Sequence, residues 1–405
     1  MFDVRRSAFL RQLSALLLEK LPFLAAAVIC GLLTIRAENG ISALPSAAQF
    51  PLPGRLANAI LSYVRYPAEM LWPTGLAVFY AYPKTFPALL VAGAFLLLLI
   101  VFVCALFAAR KTPWLAFGWI WYVVTLLPVI GLLQVGAHSH ADRYTYVPFI
   151  GLFTVIAWGL HAGASRWRCQ AWIVPTAAGL LLLLCVALTR EQIGFWRDTE
   201  TLHLRAIAVT MDNALVHNNL GTFLARQDRL DEAIPHFTEA LRQNPDNVES
   251  LNNLGVALGR QGRVDDDIRL LRHALELAPD DAGTHCNLGD ALSWKGRLDE
   301  AIAQYRESIR LKPEDYITHC NLGMTLARQG RLDDAIGEFQ KALTLKPDSA
   351  EAHCQLGIVL GAKGRLDEAI AHLQDAIRLN PDYTDARNNL RAVLALKTSP
   401  ARSTP

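Results

Sequence analysis

Along the first 189 residues, apolar side chains run on without the polar interruptions that give a soluble helix its wet face. Four stretches, 85–109, 112–141, 144–165 and 169–189, contain no Asp, Glu, Lys or Arg. Each reaches the roughly 20 residues that carry a helix across about 30 Å of hydrocarbon. A fifth stretch, 21–35, reaches that length when Leu16-Leu17-Leu18 are added and Glu19 and Lys20 sit at the interface. The pattern predicts membrane helices over about 16–36, 86–109, 113–136, 145–165 and 170–189. Between the first two, Arg55 to Tyr66 reads as an amphipathic helix followed by Trp72-Pro73. Aromatic rings favour the headgroup level, so 55–83 is expected to be an interfacial connector or a re-entrant element facing a substrate.

The pattern changes completely after residue 190. Leu-Gly pairs stand at 220–221, 254–255, 288–289, 322–323 and 356–357, and prolines at 245, 279, 313, 347 and 381, both every 34 residues. Strings such as Gly296-Arg-Leu-Asp-Glu-Ala301 and Gly330-Arg-Leu-Asp-Asp-Ala335 recur between them. A 34-residue period of this kind defines the helix–turn–helix tetratricopeptide repeat. Repeats are expected at 214–247, 248–281, 282–315, 316–349 and 350–383, with a connector over 191–213, a capping helix over 384–397 and a disordered tail over 398–405. The fold class is all-α: about five membrane helices, then an α-solenoid. Asp267 stands where the other repeats have Ala, and an acid at a close-packed position is expected to strain its repeat.

Charge separates the same two regions. Residues 1–189 carry 13 basic and 5 acidic side chains, and residues 190–405 carry 26 and 32. The basic residues of the first part cluster at Arg5, Arg6 and Arg11, at Arg110-Lys111, and at Arg166 and Arg168. With five spans, all three clusters fall on one side, which the positive-inside rule assigns to the cytoplasm. The repeats are then expected outside it. Arg5-Arg6 ahead of an apolar stretch also fits a cleaved leader, but Glu19-Lys20 interrupts that stretch, and an uncleaved span is the better fit.

Stacked repeats make a superhelix whose concave face is lined by the first helix of each pair. One register on that helix gives Asn219, Asn253, Asn287, Asn321 and Gln355, continued by Asn389. An amide donates and accepts, so such a ladder can pair with the backbone of an extended polypeptide without reading its sequence; the alternative is a solvated polar position copied by duplication. The ladder resembles that of the O-linked N-acetylglucosamine transferase repeat domain. Cys286, Cys320 and Cys354 recur beside it as small apolar residues, although unpaired thiols fit poorly with an oxidising compartment. His138, His140 and Asp142 alternate in the loop after the third span without converging on a metal geometry, and no metal or cofactor is expected. Asp142, Arg143 and Tyr144 at the membrane edge form a candidate functional loop. Phosphate loops, dinucleotide fingerprints and basic–aromatic patches are missing, so nucleic acid is not an expected partner.

Several strings occur in order ahead of the repeats: Glu19-Lys-Leu-Pro-Phe23, Arg55-Leu-Ala-Asn-Ala59, Trp72-Pro73, Gly118-Trp-Ile-Trp121, Leu127-Pro-Val-Ile-Gly131, Ala141-Asp-Arg-Tyr-Thr-Tyr-Val-Pro148 and Phe195-Trp-Arg-Asp198. Together they resemble the latter half of bacterial multi-span proteins with C-terminal tetratricopeptide repeats. Those proteins are similar to the TMTC-type protein O-mannosyltransferases of the GT-C superfamily. The resemblance implies a bacterial cytoplasmic membrane with periplasmic repeats and, for an enzyme, a polyprenyl-phosphate sugar donor. It also places the catalytic acid in a loop ahead of the Glu-Lys-Leu-Pro string, so the catalytic residues stay unassigned. The leading expectation is a membrane-anchored protein that binds polypeptides in its groove. A GT-C-like glycosyltransferase and a cytoplasm-facing assembly scaffold are the alternatives.

Overall fold

The computed structural model describes residues 51–73, 75–83, 85–132, 139–166, 172–210 and 212–398, and it divides into two units that meet at Asp212. The expected span 16–36, the residues 133–138 and the tail beyond 398 lie outside the described residues. All described elements but one short bridge are helical.

The first unit contains the helices Leu52–Leu71, Ala88–Ala108, Pro113–Leu126, Tyr146–Arg166, Ile173–Phe195 and Thr199–Val209, with a 3-10 turn at Asp142–Thr145. Three stretches, Ala88–Ala108, Tyr146–Ser165 and Pro175–Phe195, are long and apolar enough to cross a membrane. Their outward faces are almost wholly apolar, with Leu89 90% exposed. The helix that starts at Pro113 stops at Leu126, well short of the expected 113–136. Its 14 residues reach only about 21 Å at 1.5 Å per residue. Pro128 is the reason: it has no N–H to continue the ladder, and Gly131 then turns the chain at a φ of +88°. The last apolar helix runs instead to Phe195, past the expected 189, and takes Arg190 and Glu191 with it.

Helices Pro113–Leu126 and Tyr146–Arg166 touch through glycine. A Cβ on Gly118 would come within 2.5 Å of the Gly151 carbonyl oxygen, so only a hydrogen at both positions lets the backbones approach. Trp121 Nε1 donates to the Val147 carbonyl at 2.9 Å beside that crossing.

The second unit is a row of antiparallel helix pairs. The A and B helices are Ala214–Arg226 and Leu230–Gln243, Val248–Arg260 and Val264–Leu277, Ala282–Trp294 and Leu298–Leu311, Tyr316–Arg328 and Leu332–Leu345, and Ala350–Ala362 and Leu366–Leu379, closed by Thr384–Thr398. Each A helix starts on a side-chain cap: Asn213, Asn247, Asp281, Asp315 and Ser349 each accept from a backbone N–H of the first turn. The B helices begin differently. The aspartate of the Gly-Arg-Leu-Asp string lies in the first turn, where it favours the helix dipole, and the residue at the cap is the arginine. Phe237, Leu271, Tyr305, Phe339 and Leu373 are fully buried between A and B helices. They fit because the facing A-helix residue is glycine; a Cβ on Gly289 would sit 2.6 Å from the Tyr305 ring.

Candidate functional site

In the first unit the loop expected at the membrane edge is part of a larger polar cluster. Helix Leu52–Leu71 turns Asn58, Ser62 and Tyr66 inward, each a helical turn from the next, with Arg65 and Glu69 beside them. Asn58 Nδ2 donates to the Ser139 carbonyl at 2.7 Å, and Tyr66 Oη accepts from the Ala141 N–H at 3.2 Å. The strand-like segment at Tyr80 carries Ser139 against it through a backbone bond of 2.9 Å. These anchors bring His140 face to face with Tyr80, ring centroids 3.9 Å apart. Asp142 turns inward too and accepts from the Tyr80 hydroxyl at 3.1 Å.

The His140 tautomer follows from its neighbours. Arg65 Nη1 lies 3.2 Å from Nδ1 and can only donate, so Nδ1 accepts and the proton of the neutral ring sits on Nε2. That Nε2 points at Glu69 Oε1 from 3.6 Å, too far for a hydrogen bond, and neither Nε2 nor Glu69 Oε2 has a partner. Burial holds the His140 imidazole below its usual range. The same burial, with Glu69 nearby, pushes the Asp142 carboxyl up to about 6. A cavity of about 630 Å³ opens beside Arg65, Glu69, Tyr80 and His140. It brings the Arg65 cation and the partly exposed Glu69 carboxylate to one side, with the His140 imidazole buried behind them.

Of the three residues expected in this loop, Asp142 enters the cluster. Tyr144 uses its N–H to close the 3-10 turn on the Ala141 carbonyl, and the Arg143 side chain lies outside the described residues. His138 also lies outside them. Sequence reading missed Arg65, Tyr80 and the pairing of Glu69 with His140. The spacing 58, 62, 65, 66 and 69 on one helix face is the available signal, and amphipathicity alone assigns that face to the lipid interface.

In the repeats three residues of the amide register join neighbouring A helices. Asn253 Nδ2 donates to Asn218 Oδ1 at 3.1 Å, Asn287 Nδ2 to Asn252 Oδ1 at 3.0 Å, and Asn321 Nδ2 to Asp290 Oδ1 at 2.9 Å. Asn253 Nδ2 also donates to Thr222 Oγ1 at 3.3 Å and Asn321 Nδ2 to Cys286 Sγ at 3.9 Å, so each of these amides is tied to the preceding A helix through its nitrogen. Asn219 at the start of the row is exposed, Asn389 at its end is half-buried, and Gln355 borders a cavity of about 420 Å³. Cys286, Cys320 and Cys354 are free and buried behind the row. Burial pushes the Cys286 thiol up to about 11 and Cys320 to about 12, which makes them poor nucleophiles.

Stacked helix pairs with this period define a tetratricopeptide-repeat protein. The Tetratricopeptide repeat pattern matches residues 205–282 and 314–382, and the TPR repeat pattern residues 294–330. The repeat region is similar to that of Protein O-mannosyl-transferase Tmtc3 of Drosophila melanogaster, 29% identical over 140 residues. It is also 33% identical over 131 residues to Protein O-mannosyl-transferase TMTC1 of Mus musculus. The matched stretch covers 34% and 32% of this chain but only 15% and 14% of those relatives. Among solved structures, a thermophilic TPR protein of Thermus thermophilus aligns at 26% identity and a TM-score of 0.40, covering 45% of this chain and 99% of that one. YrrB, titled a TPR protein with an unusual peptide-binding site, aligns at 21% and 0.38, covering 47% and 97%.

Proposed function

We propose that the chain is a membrane-anchored polypeptide-binding protein. Its apolar helices hold it in a bilayer, and the concave face of the repeats grips an extended partner outside the cytoplasm. The observation that carries this reading is the amide row. Asn253, Asn287 and Asn321 are each fixed through their nitrogen by the preceding helix, so their carbonyl oxygens are pre-oriented at about one repeat spacing as acceptors for backbone N–H groups. A row of that kind matches the regular groups of a peptide backbone and ignores its side chains.

The test is anisotropy of labelled ten-residue peptides of mixed sequence with the full chain in detergent. Saturable binding is expected, weakened at least about tenfold when Asn253, Asn287 and Asn321 are all changed to Ala. Because these amides also join helices, the triple variant must keep its far-UV circular dichroism. Unchanged affinity in a folded triple variant contradicts the reading.

A second reading, transfer of a sugar from a polyprenyl-phosphate donor, is supported by the Glu69–His140 pair beside one cavity, with Glu69 Oε2 left without a hydrogen bond. On this reading Glu69 accepts the proton of an acceptor hydroxyl. Glu69→Gln should then abolish transfer to peptide while leaving peptide affinity intact, and undiminished transfer would exclude the role.

A further inference from the structure

Because the repeats are near-copies, a residue that departs from its register stands out, and four departures converge on one place. Asp267 occupies a position held by Ala233, Ala301, Ala335 and Ala369 in the other repeats. Asp290 stands where the array has Thr222, Val256, Met324 and Ile358. Trp294 stands where the array has Arg226, Arg260, Arg328 and Ala362, and Tyr305 is the one residue of its register with a hydroxyl. Asp290 and Trp294 share one face of their helix a turn apart, and Asp267 comes from the preceding pair; the three border the same cavity of about 420 Å³, beside Asn287 of the amide row.

The chemistry of the cavity is one-sided. Asp267 is 5% exposed, and its Oδ1 is buried without a hydrogen-bond partner. Gly259 makes room for its carboxylate, since a Cβ there would collide with it. A buried carboxylate with no donor is expensive to keep, and burial beside Asp290 pushes its carboxyl up to about 7. Asp290 is oriented by the Tyr305 hydroxyl at 2.6 Å and by Asn321 Nδ2 at 2.9 Å. The Trp294 indole is 83% exposed at the mouth, the largest exposed side chain of the array. Arg260, the cavity's cation, is held by Asp228 and the Ala225 carbonyl. What the cavity lacks is a positive charge for Asp267, with an aromatic face above it.

We infer that this cavity takes the lysine or arginine side chain of the bound polypeptide, its charge between Asp267 and Asp290 and its stem against Trp294. The inference rests on the groove reading above and adds a side-chain preference at one position to sequence-independent gripping of the backbone. A cation over an indole and between carboxylates in a partly desolvated pocket gains from both contacts.

The experiment uses ten-residue Gly-Ser-Ala peptides with one guest residue, Lys, Arg or Gln, titrated into the full chain in detergent. The Lys and Arg guests should bind at least about tenfold tighter than Gln. Two variants restore a residue of the neighbouring repeats without removing a partner of the amide row and so keep the fold: Asp267→Ala and Trp294→Arg. Each should bring the Lys and Arg affinities down towards the Gln value. Equal affinity for all guests, or an advantage that survives in Asp267→Ala, overturns the pocket while leaving the groove. No binding of any guest overturns the groove and the pocket together.

Discussion

The two units turn different residues outward. The repeats bury Ala, Leu, Phe and Tyr and turn their charges outward, ion pairs such as Arg331–Asp334 included, with the buried Asp267 as the exception among the acids. The first unit turns Leu89, Phe107 and Leu182 out, and its interior holds Asn58, Ser62, Ser139 and His140 beside Tyr66, Tyr122, Leu126 and Ile130. Water drives the first arrangement, because apolar burial is what folds a soluble solenoid. An apolar solvent would favour the second, because in hydrocarbon a polar group is the thing that must find a partner. The same side chain therefore has a different value in each unit.

Truncation should show this most strongly. Tyr305→Ala empties a fully buried ring position, so it should destabilise the repeats by about 3–5 kcal/mol and unfold much of the array on mild heating. Leu97→Ala removes an outward leucine of Ala88–Ala108 and should change membrane retention and unfolding little. Comparable losses from the two would break the contrast. Close packing of the first unit instead depends on glycine. Gly118→Leu should separate its helix from Tyr146–Arg166, whereas Gly163→Ala, with nothing within 4 Å of its Cβ, should be silent. A cysteine cross-link between the two helices, lost only in the first variant, would report it.

A smaller effect concerns Asp267. Its carboxyl is raised from 3.8 to about 7 in the fold, so the folded state holds its proton more tightly than the unfolded one. The second repeat should therefore be most stable in acid, lose stability as pH rises from about 4 to about 7, and level off above. Asp267→Ala should remove that slope and raise neutral-pH stability by about 1–3 kcal/mol. Amide exchange of Val248–Leu277, corrected for intrinsic rates, measures both. The smallest change is expected for Arg331→Ala, which removes an exposed pair and should cost about 0.5 kcal/mol or less by denaturant melting.

Periodicity decided what could be read in advance. The repeat register at Gly289, Ala301 and Tyr305 is packed as its spacing implied, because each contact there is local in sequence and recurs every 34 residues. The apolar helices were visible as composition. The helix end at Leu126 was written in Pro128 and Gly131, but an uninterrupted apolar run masked it. The Glu69–His140 cluster was harder, since Asn58 and Ser139 are 81 residues apart and nothing periodic joins them. Asp267 was legible as a misfit, and its meaning emerged only when Asp290 and Trp294 proved to border the same cavity.

The placement of the repeats outside the cytoplasm tests the account most directly. The native repeat thiols are buried, so the label belongs on an exposed loop residue such as Glu314, changed to Cys in the full chain. Intact bacterial cells expressing it would be treated with a maleimide that cannot cross the inner membrane, with lysed cells as the control. Labelling of Glu314→Cys in intact cells is the predicted result and keeps the groove available to extracytoplasmic polypeptides. Labelling only after lysis would put the repeats in the cytoplasm, contradict the orientation read from Arg110-Lys111 and Arg166, and favour an assembly scaffold.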